Sequence, residues 1–96
     1  MLNTIGLAMR ARKVIVGTNF TVETVRKGRA KVVILANDAS ANTKKLIYDK
    51  CQSYNVEVIE NISSNELSDA IGKKNIKVIC LIDEGFSNLI LSQKRK

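Results

Sequence analysis

The sequence predicts a three-layer α/β/α sandwich, and three observations carry that expectation. Short β-branched or apolar runs alternate with amphipathic helical patterns along the whole chain, which points to a sheet packed between helices. The two longest runs, Val32 to Ala36 and Val78 to Ile82, are apolar throughout, as strands covered on both faces are. At 96 residues and 45% apolar content, the chain suffices for one modest core.

Leu2, Ile5, Ala8 and Met9 recur at helical spacing, so a first helix is expected to about Arg12. Val14-Ile15-Val16 is β-branched throughout and reads as a strand, closed by Gly17. A second helix is expected from about Asn19 to Lys27. Thr18 or Asn19 can accept from its orphan N–H groups, and Gly28 suits a left-handed stop. Lys31 leads into the VVILA strand. The cap- and turn-rich NDASANTKK then opens a helix with Leu46, Ile47, Cys51 and Tyr54 on its inward face. Val56, Val58 and Ile59 mark a third strand. Ser63 and Glu66 form the S-x-x-E pattern of a capping box, and the short helix they open stops at Gly72. Ile76 to Ile82 is the fourth strand, and Asp83-Glu84-Gly85 introduces a last helix with Phe86, Leu89 and Ile90 inward. One domain over residues 1–92 is expected, followed by a frayed basic tail at 93–96.

No apolar run approaches the roughly 20 residues needed to cross a bilayer, and the N-terminus does not read as a signal peptide. A soluble cytoplasmic protein is expected. Cys51 and Cys80 stand 29 positions apart, each inside an apolar pattern where a thiol packs as a small hydrophobe. The net charge of +7 is unevenly placed: residues 1–31 hold seven basic residues and a single acid, Glu23. Such a concentration is the footprint of a polyanion partner, most often nucleic acid, although a solvated basic face is the plainer reading.

Catalysis has little to work with. There is no histidine, so the usual general base and commonest metal ligand are missing. Asp38, Asp83 and Glu84 could hold a magnesium ion if the carboxyl ends of the strands brought them together. The simpler reading makes each a cap ahead of a helix N-terminus. No glycine-rich phosphate loop can be placed on any strand-to-helix turn. No enzyme, cofactor or metal is expected.

The stretch GTNFTVETVRKGR is more informative. A strand ending at Gly17 lets backbone come close to a partner, while Thr18 and Asn19 offer hydroxyl, amide and free N–H donors. On a helix Asn19, Glu23, Arg26 and Lys27 lie along one stripe, so donors and cations are expected on one surface, as structured RNA requires. An ordinary capped surface helix is the competing reading. Phe20 is either a stacking platform for an unpaired base or a core residue of the first turn.

GTNFTVETVRKGRAKVVILANDAS resembles the signature of the kink-turn-binding ribosomal protein family, the ribosomal L-seven-Ae family. That signature is a G-x-N-E-x-x-K helix followed by G-x-A-K and a strand ending in an acidic turn. The likeness covers nearly the whole chain. Its RARKV start, DASANTKK turn, DKC-x-x-Y-N-V helix end and D-x-G-F approach to the last helix are similar to the small stand-alone bacterial YlxQ-type members.

The resemblance implies a four-stranded mixed sheet between helices and binding to kink-turn RNA, with the start of the second helix on sheared G·A pairs. Gly17, Thr18, Asn19 and the basic Lys27 match the pattern. Phe20 stands where Glu is expected and Glu23 where Lys is expected. Lys73-Lys74-Asn75 replaces a loop that is apolar in the family. The expected RNA-contacting set is therefore Lys13, Gly17, Thr18, Asn19, Phe20, Glu23, Arg26, Lys27, Lys73 and Lys74, in a monomer associated with the ribosome or translation. An interaction module that kept the fold and lost RNA affinity is the alternative that Phe20 and Glu23 support.

Overall fold

In the structure, a computed structural model that describes residues 1–93, the elements follow the expected order. They are α1 (Leu2–Arg10), β1 (Val14–Val16), α2 (Thr18–Arg26), β2 (Val32–Leu35), α3 (Ala41–Ser53), β3 (Glu57–Ile59), α4 (Ser64–Ile71), β4 (Val78–Leu81) and α5 (Glu84–Gln93). The four strands form one sheet in the order β1-β4-β2-β3. β4 runs antiparallel to both β1 and β2, and β3 runs parallel to β2, so the sheet is mixed.

The central strands show why an unbroken apolar run was needed. All four residues of β2 and all four of β4 are buried. Their side chains alternate between two cores because strand periodicity is two. Val32, Ile34, Ile79 and Leu81 pack with Ile5 and Ala8 of α1, Leu67 and Ile71 of α4, and Ile90 of α5. Val33, Leu35, Val78 and Cys80 pack on the other face with Val25 of α2 and with Ile47 and Cys51 of α3. Burying each such side chain contributes about 1.5–3 kcal/mol, so both helix layers are held by the same two strands.

Several boundaries differ from the sequence expectation for identifiable reasons. α1 stops at Arg10 because Arg12 takes a left-handed conformation, φ 61, which turns the chain into β1. β4 starts at Val78 because the Ile76 N–H is drawn to the Ser68 hydroxyl at 2.9 Å, after a left-handed Asn75 at φ 59. Tyr54 is 46% exposed, since the chain leaves α3 at that residue. Leu89 is 53% exposed because Ile90 and Phe86, one turn apart, take the inward stripe of α5. The capping box at Ser63 and Glu66 and the left-handed Gly72 form as expected. α5 extends through Gln93, whose amide pairs with the Thr4 hydroxyl at 3.1 and 3.3 Å. The rest of the basic tail expected at 93–96 lies outside the described residues.

Candidate functional site

The turn from β1 into α2 is built on a conformation that only glycine adopts readily. Gly17 has φ 104 and ψ 153 and is itself the N-cap of α2. Its N–H donates to the Val78 carbonyl at 2.9 Å, closing the ladder with β4, and its carbonyl accepts the Thr21 N–H at 2.9 Å, opening the helix. No side chain caps α2, and no acid sits in its first turn. Thr18 and Asn19 thus do not fill the capping role they could have taken, and the helix presents its first N–H groups and the positive end of its dipole uncompensated. By contrast, Ser40 caps α3, Ser63 caps α4, and the Asp83 carboxylate accepts the Phe86 N–H at 2.9 Å in α5.

Phe20 is 71% exposed, so the core alternative for it is excluded. A large aromatic face stands open beside an exposed Asn19 and a half-buried Thr18. One turn further on, Glu23 pairs with Arg26 and with Lys27, each at 3.9 Å and each solvent-exposed. The acid therefore draws both cations of the stripe toward itself, loosely, in contacts that contribute little to stability.

The expected site residues do not share one surface. Gly17, Thr18, Asn19 and Phe20 lie where β1 ends and β4 begins, and Lys73 and Lys74 sit on the loop that enters β4 at this same end. Lys13 lies at the opposite end: it precedes β1, and its carbonyl accepts the N–H of Ile82, beyond the far end of β4. α2 runs between the two, putting Arg26 and Lys27 about 12 Å along the helix axis from Thr18, toward Lys13. Arg12, Arg29 and Lys31, which the sequence reading counted only as charge, gather near Lys13 because the α2–β2 connection enters β2 at that end.

The same antiparallel arrangement of β2 and β4 dismantles the magnesium alternative. Asp38 follows β2 and Asp83 and Glu84 follow β4, so they stand at opposite ends of the sheet. Among the described residues, no three acid, cysteine or histidine side chains come together to hold a metal. Asp38 caps a different helix from the one that follows it: its two oxygens accept the Ser64 N–H at 2.8 Å and the Ser64 hydroxyl at 2.7 Å. Those bonds, chiefly the hydroxyl, hold its carboxyl below the usual range. Lys77 donates to the Ser64 hydroxyl at 3.1 Å and stands 3.9 Å from Asp38. Nearby, Tyr48 donates to Glu60 at 2.6 Å, and Lys44 bridges Glu60 at 2.9 Å and the Asn37 carbonyl at 2.8 Å. Local patterns cannot announce such links, because Asp38 and Ser64 are 26 positions apart. Both cysteines are free and buried, and burial pushes each thiol up to about 11.

Residues 1–91 match the family described as "Ribosomal protein L7Ae/L30e/S12e/Gadd45 family". The chain is 46% identical to the RNA-binding protein YlxQ of Enterococcus faecium over 86 residues, covering 90% of this chain and 82% of that one. It is 42% identical to RNA-binding protein YlxQ of Bacillus subtilis over 88 residues, 92% and 88% of the two chains. A solved structure of a protein of unknown function from Bacillus halodurans superposes with a TM-score of 0.95 at 38% identity, covering 99% of this chain and 96% of that one. A Giardia lamblia 15.5kD RNA binding protein shares the fold, with a TM-score of 0.79 at 21% identity over 95% and 78% of the two chains. With a match spanning the sheet, all but the end of α5 and the glycine turn, the chain belongs to the ribosomal protein L7Ae/L30e/S12e/Gadd45 family.

Proposed function

We propose that this protein is a non-enzymatic, cytoplasmic RNA-binding protein of the ribosome or of translation, acting as a monomer. It seats a kink-turn-like structured RNA on the Gly17–Asn19 turn. The observation that carries this reading is the uncapped start of α2 beside an exposed Asn19 and Phe20. Free N–H groups at a helix start donate to phosphate oxygens or base acceptors without displacing a side chain. Asn19 supplies an amide for a base edge, and the glycine lets RNA approach the backbone. Phe20, in place of the acid expected there, offers a stacking face for an unpaired base. Lys73 and Lys74 attract the backbone of the same RNA. The names of the YlxQ relatives support RNA as the partner, as does the likeness to large ribosomal subunit protein eL30 of Methanosarcina mazei, 38% identical over 85 residues.

Gel-shift titrations of a kink-turn RNA and a plain duplex of equal length test this reading. The kinked RNA binds more tightly, because a regular A-form helix presents neither sheared pairs nor unstacked bases. Equal affinities leave a generic basic surface. One observation favours a second reading, an interaction module that has lost RNA affinity: Glu23 holds the two cations that would face the RNA. Under that reading the same titrations give weak binding to both RNAs and little dependence on salt.

A further inference from the structure

The basic residues at the end of the sheet away from Gly17 are assembled by the backbone. The Ile82 N–H reaches the Lys13 carbonyl at 3.0 Å, and the Lys31 N–H donates to the Leu81 carbonyl at 2.8 Å. Lys13 and Lys31 therefore flank the terminus of β4 from β1 and β2, on the order of 10 Å apart across two strand spacings. Arg12 adjoins Lys13, and Arg29 is anchored over the end of α2 by its N–H to the Thr24 carbonyl at 3.1 Å. All four side chains are exposed. The ion pairs among the described residues, Glu23 with Arg26 and Lys27, Lys44 with Glu60, and Lys77 with Asp38, leave all four out. The acids at this end are Asp83, Glu84 and Glu57, and Asp83 is turned to the cap of α5.

We infer that this end of the sheet is a second RNA-binding face, which holds the sugar–phosphate backbone of a duplex stem continuing from the element seated at Gly17. The inference rests on the RNA-binding reading above and extends it to a separate surface. Four long exposed cations suit an evenly spaced phosphate chain and cannot select particular bases. The length of α2, about 12 Å from Thr18 to Arg26, separates the two faces, so a minimal kinked RNA fills the first and only a longer stem reaches the second.

The test uses the full chain and three RNAs: a kink-turn with minimal stems, and two versions in which one stem or the other is extended by a helical turn. Affinities are measured from 50 to 200 mM KCl. One extension should steepen the logarithmic salt slope by about 2 to 3, so that the longer RNA loses roughly 15- to 60-fold more affinity over that range than the minimal one. Lys13→Gln/Arg29→Gln/Lys31→Gln should erase this extra slope and leave the minimal RNA within about twofold of wild type; it spares Arg12, whose φ of 61 constrains replacement. A thermal melt of the triple variant verifies its fold. As a contrast, Lys73→Gln/Lys74→Gln should weaken the minimal RNA and keep the extra slope. The inference is overturned if neither extension changes the slope, or if the triple variant weakens minimal and extended RNAs equally. If wild type binds kinked RNA no better than plain duplex, the functional reading fails and takes this inference with it.

Discussion

The two ends of the sheet carry similar numbers of lysines and arginines, but only the Gly17 end ties some of them, Lys44 and Lys77, into fixed networks. At the Gly17 end, polar groups are fixed: Lys77, Asp38 and Ser64 interlock, as do Lys44, Glu60 and Tyr48, with contacts of 2.6 to 3.1 Å. At the other end Arg12, Lys13, Arg29 and Lys31 hang from turns with no ion pair among the described residues. The first end has a defined shape, since the Gly17 N–H is tied to the Val78 carbonyl and the loops after β2 and β3 are joined by bonds between distant positions. The second has charge without shape. Specific recognition needs prearranged donors, whereas phosphate attraction needs only proximity, so under the proposed function the difference separates a selective face from an adhesive one.

The comparison can be broken first at its glycines. Gly17→Ala should destabilise the fold by about 2–3 kcal/mol, because φ 104 with ψ 153 is a region side chains hardly enter, although the added Cβ would meet nothing closer than Phe20 at 3.9 Å. Gly28 at the other end, φ 74 with open space around it, should tolerate Asn at well under 1 kcal/mol. Chemical denaturation of both variants tests the pair, and equal costs would deny the Gly17 turn its special status.

Phe20→Ala comes next. It should lower affinity for kinked RNA by about 1–3 kcal/mol, the range for one base stacked on an aromatic ring. Its melting temperature should hardly move, since the ring is 71% exposed. A loss of stability without a loss of affinity would return Phe20 to a packing role.

Glu23→Lys sharpens the contrast between shape and charge. It removes an acid that engages Arg26 and Lys27 and adds a cation on the helix that joins the two ends. Affinity for kinked RNA should rise by about 1–2 kcal/mol at low salt and the gain should fade as KCl is added. A gain that persists at high salt would mean a specific contact rather than an electrostatic one.

The smallest effects fall on the acids. Asp83→Ala should cost about 1 kcal/mol of stability through the lost cap and leave RNA binding unchanged, as seen by melts run beside titrations. Asp38 has its carboxyl held below 3.8 in the fold, so its contribution is present above that pH and disappears as pH falls through the lower folded value. Melts of Asp38→Asn should therefore approach wild type only as pH falls well below 3.8, while at pH 7 the variant melts lower. A constant gap across that range would remove the carboxylate from the account.

Strands, helices and the Ser63–Glu66 capping box were legible because each is written within a few neighbouring positions, whereas the caps expected from Thr18, Asn19 and Asp38 were not those that formed. The runs at Val32 and Val78, the Ser63–Glu66 box and Gly72 all formed where their local patterns put them. What was not legible depends on strand direction. The single antiparallel placement of β4 sent Asp38 and Asp83 to opposite ends. A stretch of basic sequence that reads as continuous with the glycine turn is, in three dimensions, most of a helix length away from it. Phe20 was ambiguous because a helical stripe does not say which neighbour covers its first turn.

The most direct test of the account is the ratio of affinities for kinked RNA over plain duplex at one fixed salt concentration, measured for wild type and for Asn19→Ala. The substitution leaves net charge untouched and removes an exposed amide at the start of α2. The account predicts a ratio well above one for wild type that falls several-fold in the variant, with duplex affinity unchanged. A ratio that stays the same in the variant would contradict the assignment of the α2 start as the face that reads the RNA.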